Sequence, residues 1–272
     1  MRGRRSRRLV SAVLAWTLAV LSATLLFGLI DLGTVVGLSD PAYEWSMSLE
    51  ASWGGLFTFV VAGSFGWIGT APARPWPGVA LLALTAAGLA AGSLSARDPG
   101  PLWVAVPLAV VTAVFAWLLR PELAGARPVW RAEPPVAVVA AAGVPLWLAY
   151  AWFTHRASAT GSWNDTLGID HWPVQVGLGL ILAAGSAVLV GASRDLALWR
   201  WVFALTAVPI AWATLRYPER EGAMPHVVWG VLIAVWGALL VGAAWWPRRG
   251  AESGHAADVD VRPSADGATV ER

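Results

Sequence analysis

Polar and apolar positions in this chain fall into blocks rather than alternating. Apolar stretches of about 20 residues cover 9–30, 51–71, 78–96, 101–119, 135–154, 173–193, 196–215 and 226–246, with short polar segments between them. Each block is long enough for a helix to cross a hydrocarbon core of about 30 Å. A membrane barrel would instead show short segments of alternating polarity. The pattern predicts an all-α, polytopic transmembrane helix bundle of about eight spans. Its domains are a basic amino end at 1–8, a transmembrane helical domain at 9–246 and a polar tail at 247–272, which reads as disordered.

Composition sharpens this picture. Charged residues make up 13% of the chain and hydrophobic ones 57%, whereas a soluble domain carries roughly a quarter charged residues. The basic residues are all arginine, and they sit beside apolar blocks rather than in one patch, so nucleic acid is not an expected partner. The lipid bilayer is; a second copy or another membrane protein is an open alternative. Cysteine is absent, which excludes disulfides, thiolate metal ligands and a cysteine nucleophile. The amino-terminal MRGRRSRR followed by 22 apolar residues reads as a first spanning helix. The apolar core of a cleaved signal is shorter, and no A-x-A site closes this one.

Charge also orients the bundle. With the amino end inside, the inner connections hold Arg74, Arg120, Arg127, Arg131 and Arg194, next to the five arginines of residues 1–8. The outer connections hold only Arg97, Arg156, Arg216 and Arg220, against nine acids. Basic residues favour the cytoplasmic side, so the expectation is a cell-membrane protein with both termini cytoplasmic. The alternation of long and short connections also admits two parallel four-helix halves related by an axis along the membrane normal. Asp40-Pro41 reads as a helix start within the outer stretch 31–50.

The candidate chemistry gathers in the outer segment 155–173. His155, Asp165, Asp170 and His171, together with His226 at the start of the last span, all fall at the outer boundary. Imidazole and carboxylate suit a divalent transition metal, the one cofactor these residues would admit, although no H-E-x-x-H pattern puts two ligands on one helix face. The other reading is structural: histidines at an interface, and Asp170 capping the sixth span with Pro173 in its first turn. Bis-histidine haem does not fit, because none of these histidines lies a turn inside its span.

Within the predicted spans no Asp, Glu, Arg or His lies near the middle. That absence argues against a carboxylate-coupled pump or an intramembrane protease. Gln175, Thr58, Ser64, Thr85, Thr112, Ser186 and Thr206 read mainly as hydrogen bonds between helices. Small residues spaced by four, such as Gly88 and Gly92, or Ala83, Ala87 and Ala91, read as close helix contacts. Pro107, Pro145 and Pro209 fall inside spans, as static kinks or as hinges. Of 19 tryptophans many mark the boundaries, whereas Trp16, Trp147, Trp212 and Trp236 fall deeper.

The segments SLEASWGGLFTF (48–59) and GIDHWPVQ (168–175) resemble those of multi-pass integral membrane proteins of actinobacterial type, a group with no known activity. The resemblance implies a membrane fold over most of the spans. It implies no substrate, cofactor or catalytic residue. The chain lacks a phosphate-binding loop or nucleophile motif, so the leading expectation is a non-enzymatic permease for small molecules or lipid-related compounds, or a membrane subunit of a larger assembly. The alternative is a metal-binding protein or membrane-embedded enzyme using the outer His155, Asp165, Asp170, His171 and His226 layer.

Overall fold

The computed structural model describes residues 2–37, 46–125, 130–160, 165–166, 169–192 and 196–243. The elements are α1 (Arg2–Thr24), α2 (Gly28–Gly37), α3 (Met47–Thr70), α4 (Trp76–Ala96), α5 (Leu102–Leu118) and α6 (Arg120–Gly125). They continue with α7 (Pro134–Thr160), a minimal hairpin of β1 (Asp165–Thr166) and β2 (Ile169–Asp170), α8 (His171–Ala192), α9 (Ala197–Arg216) and α10 (Val227–Gly242). Helix is forced on apolar segments of this length, since it satisfies every backbone donor and acceptor within the segment.

Six of these helices are long and apolar enough to cross a membrane: residues Arg5–Thr24 of α1, α3, α4, Pro134–Ala159 of α7, α8 and α9. The predicted fourth and eighth spans fall on α5, with 17 residues, and α10, with 16. Pro107, Pro145 and Pro209 lie inside α5, α7 and α9, as the sequence places them. The tail beyond 243 and the Asp40-Pro41 helix start lie outside the described residues.

Packing is led by α7 on α8, α4 on α8, α9 on α10, and α1 on the second half of α3. Small residues make the tightest contacts. A Cβ on Gly92 would lie 2.2 Å from the Pro173 carbonyl oxygen, and one on Gly177 would lie 2.9 Å from that of Gly88. The Gly88–Gly92 row is thus where α4 meets α8. The parallel alanine row departs from expectation, because Ala83 and Ala87 are exposed on the outside of the bundle.

Two ion pairs tie one end together. Arg8 of α1 donates from Nε to Glu122 Oε1 at 2.9 Å, and Arg200 of α9 reaches Glu133 Oε2 at 3.0 Å. At the other end Ser46 donates to the Glu221 carbonyl, and Trp172 packs on Gly222, whose φ of +77° favours glycine and where an added Cβ would lie 2.6 Å from the Trp172 ring.

The main departure from the sequence reading lies between residues 24 and 50. The sequence reading runs the first span to residue 30 and an outer connection over 31–50; instead the chain stops as helix after Thr24 and restarts over Gly28–Gly37. Phe27 holds a left-handed φ of 61°, which breaks the helical run. The two halves of the chain differ here, since α7 runs 27 residues without a break.

Hydroxyl groups also depart from expectation. Ser64, Thr85, Thr112 and Thr206 donate to the carbonyl four residues back in their own helices, not across to neighbours.

Candidate functional site: a buried carboxyl pair beside a broken helix

The path of α1 and α2 along α3 can be followed contact by contact. Trp16 packs on Gly69, and Gly28 lies against Phe57 and Thr58. Further along, Leu32 and the Gly28 carbonyl meet Gly54, and Asp31 reaches Glu50. The long α1 and the short α2 therefore form one interrupted rod running antiparallel to α3. The interruption falls at Thr58, the twelfth of the 24 residues of α3.

At that same level α3 departs from α-helical geometry. Leu56–Val61 form a π-helical turn, an insertion that shifts the hydrogen-bond ladder and recurs at functional sites. Two glycines permit the approach. A Cβ on Gly28 would lie 2.6 Å from Thr58 Oγ1, and one on Gly54 would lie 2.9 Å from the Gly28 carbonyl oxygen. Of the carbonyls freed by the break, that of Leu26 accepts the Trp53 indole N–H at 2.7 Å.

Asp31, about one turn past the break, is hydrogen-bonded side chain to side chain to Glu50, which lies more than two turns along α3 from Thr58; each is 7% exposed. Carboxylates only accept hydrogen bonds, so a bond between two carboxyl groups requires a proton on one of them. Two carboxyl groups held this close repel when both are charged, and a proton shared between them relieves that repulsion. Both acids flank the spans expected from sequence, 9–30 and 51–71, where they read as loop residues, and neither lies near the middle of one. Glu50 lies in the first turn of a spanning helix, and Asp31 lies on the segment that prolongs the first one.

Trp53, three residues along α3 from Glu50, stacks on the buried His171 ring, with centroids 4.3 Å apart and an interplanar angle of 16°. On another side of α3, Tyr150 Oη accepts from Gln175 Nε2 at 2.6 Å and is hydrogen-bonded to Ser52. The Ser52 hydroxyl donates to the Leu49 carbonyl at 2.8 Å. Three helices, α3, α7 and α8, are thus joined by a short polar chain in an otherwise apolar interior.

The residues proposed from sequence as metal ligands are placed as follows. Asp165 and Asp170 are Cα partners across the β1–β2 hairpin; the Asp165 side chain lies outside the described residues. Asp170 is buried, and its Oδ1 accepts from the Trp172 backbone N–H at 3.2 Å, so it caps α8 with Pro173 in the first turn. His171 is buried against Trp53, His155 is half-buried beside Trp152 on α7, and His226 is exposed at the start of α10. Among the described residues no three His, Asp or Glu side chains converge to hold a metal ion.

Sequence reasoning missed Asp31, Glu50, Trp53 and Tyr150. One signal was there to be read: GLIDLGTVVG carries a single acid in an otherwise apolar or small run. Such a run pays for its charge only if the acid is buried against a partner. Of the tryptophans read as deep, Trp147 and Trp236 are in the core and edge-on to each other, whereas Trp16 and Trp212 are exposed on the outside of the bundle.

No family model, curated protein or solved structure matches this chain.

Proposed function

We propose that this protein is a proton-linked permease of the cell membrane. The observation that carries the reading is the Asp31–Glu50 pair, buried where a discontinuous helix passes a π-helical turn. A titratable group inside a membrane bundle is costly and commonly marks an ion path or proton relay. Interrupted helices recur at the substrate and coupling-ion sites of transporters, because the break offers backbone groups to a ligand and a point at which the rod bends. Here Asp31 lies about one turn past the helix restart at Gly28.

In this reading all eight apolar blocks cross the bilayer, α1 and α2 together forming the first span, and both termini face the cytoplasm. The two ion pairs Arg8–Glu122 and Arg200–Glu133 then close the cytoplasmic end. The proton on the carboxyl pair is released to one side and regained from the other as the interrupted rod and α3 shift against each other.

The test is solute-driven proton movement in proteoliposomes of the full-length chain, with a pH-sensitive dye inside and a panel of small polar solutes outside. At least one solute is expected to change the internal pH with the wild type, and none with Glu50→Gln or Asp31→Asn. If no solute moves protons with the wild type, a static membrane subunit is the better reading.

A further inference from the structure

The outward face where α9 meets α10 carries a groove of about 400 Å³, and every residue that lines it is apolar. Its floor is small, with Ala207 of α9 beside Ala234 and Ala238 of α10; its walls include Trp201, Trp212 and Leu215. The two helices meet through glycine. A Cβ on Gly237 would lie 3.2 Å from that of Ala207, and one on Gly230 would lie 2.7 Å from Leu215 Cγ. Small residues bring the axes close and leave a channel between the larger side chains on either side. From Trp201 to Leu215 the groove follows α9 for about 21 Å. A second groove, of about 460 Å³, lies between α7 and α10. It covers only residues 138–146 of α7, and neither helix carries a charged residue along it.

The two ends of the α9–α10 groove differ in charge. At the Trp201 end, Arg200 is engaged by Glu133. At the Leu215 end, Arg216 is exposed, its guanidinium stands over the Tyr217 ring at 5.3 Å, and it makes no ion pair among the described residues. Because Gly230 meets Leu215, the exposed His226, about one turn earlier, stands at the same rim. An apolar channel that ends at an unpaired guanidinium matches a molecule with an alkyl chain and a negatively charged head. We propose that this groove binds one acyl chain of an anionic phospholipid, with the phosphate held by Arg216 at the rim. The planar guanidinium suits phosphate through paired N–H donors. One wall also ties the groove to the carboxyl pair. The Trp212 indole N–H donates to the Val35 carbonyl at 3.2 Å, one turn along α2 from Asp31. An acyl chain packed on that ring limits its motion and so steadies the end of α2. What this does to transport rests on the permease reading above; the binding does not.

The experiment is native mass spectrometry of the full-length chain in detergent, titrated with phosphatidylglycerol and, separately, phosphatidylcholine. The wild type is expected to hold one phosphatidylglycerol about tenfold more tightly than phosphatidylcholine. Ala238→Leu changes an exposed residue of the floor, so it fills the groove without entering the helix contact. It should weaken both lipids by about tenfold or more. Arg216→Gln should remove only the preference for the anionic head. Ala142→Leu, which fills the second groove in the same way, should change neither. The proposal falls if Ala238→Leu and Ala142→Leu respond alike, as an unspecific lipid annulus would, or if the wild type holds both lipids equally. It falls too if Ala238→Leu turns a dimer into a monomer without loss of lipid, since a second copy then fills the groove. Amide hydrogen exchange over residues 28–37 should slow when phosphatidylglycerol is added to the wild type or Glu50→Gln, but not to Trp212→Phe. Unchanged exchange in the wild type would remove the link to α2. Lipid binding without solute-driven proton movement would reject the permease reading alone. Proton movement with no lipid held would reject the groove alone.

Discussion

Trp53 donates its indole N–H to the carbonyl oxygen of Leu26 at 2.7 Å, bridging the gap between the end of one helix and the start of the next. A freed carbonyl in an apolar bundle has few other donors within reach. Trp53→Phe keeps an aromatic ring against His171 and removes the donor. The expected cost is about 1–3 kcal/mol, the penalty for an orphaned buried acceptor, read as a lower unfolding midpoint in nanodiscs.

Two glycines of the same region should respond in opposite directions. Gly54→Ala puts a Cβ 2.9 Å from the Gly28 carbonyl, which pushes α2 off α3 and separates Asp31 from Glu50. Gly33 lies in the interior of α2 with nothing within 4 Å of an added Cβ. Gly33→Ala should therefore stabilise the protein by roughly 0.5–1 kcal/mol through lost backbone freedom of the unfolded chain. Thermal unfolding of the two variants side by side checks the contrast.

The carboxyl pair should behave as a unit. Asp31→Ala and Glu50→Ala each strand a buried partner, whereas the double variant strands none. A double-mutant cycle on stability is expected to give a coupling of about 0.5–3 kcal/mol, within the range for residues in contact. Additive losses would mean that the two acids do not depend on each other.

Asp170 offers a clean separation of cap from ligand. Its Oδ1 accepts from the Trp172 N–H at the start of α8, so Asp170→Ala should cost about 1 kcal/mol, the usual loss for a helix cap. The loss should be the same with and without EDTA. A deficit that chelation reproduces in the wild type would revive the metal reading of the outer segment.

Orientation can be read directly, because the chain contains no cysteine. In the proposed topology Ala223→Cys, in the connection before α10, reacts with an impermeant maleimide on intact cells. Ala73→Cys, in the turn after α3, reacts only after the cells are opened.

How far the sequence reaches can be argued from these same residues. It determined the helical class and the approximate place of the long apolar helices. An apolar block of bilayer length has to satisfy its backbone internally, and only helix does so within one segment. It also determined what is local: Asp170 as the cap of α8, with Pro173 in its first turn, and the three prolines inside helices. The Gly88–Gly92 spacing marked a close contact, but not that α8 was the partner. Only the tertiary structure decided that residues 28–37 return to helix, that Asp31 meets Glu50, that His171 lies on Trp53, and that Gln175 bonds Tyr150. Each of these joins residues on different helices through the packing of whole rods against one another. Such contacts leave no period along the chain, so an acid between two apolar blocks looks like a loop residue until the fold supplies its partner.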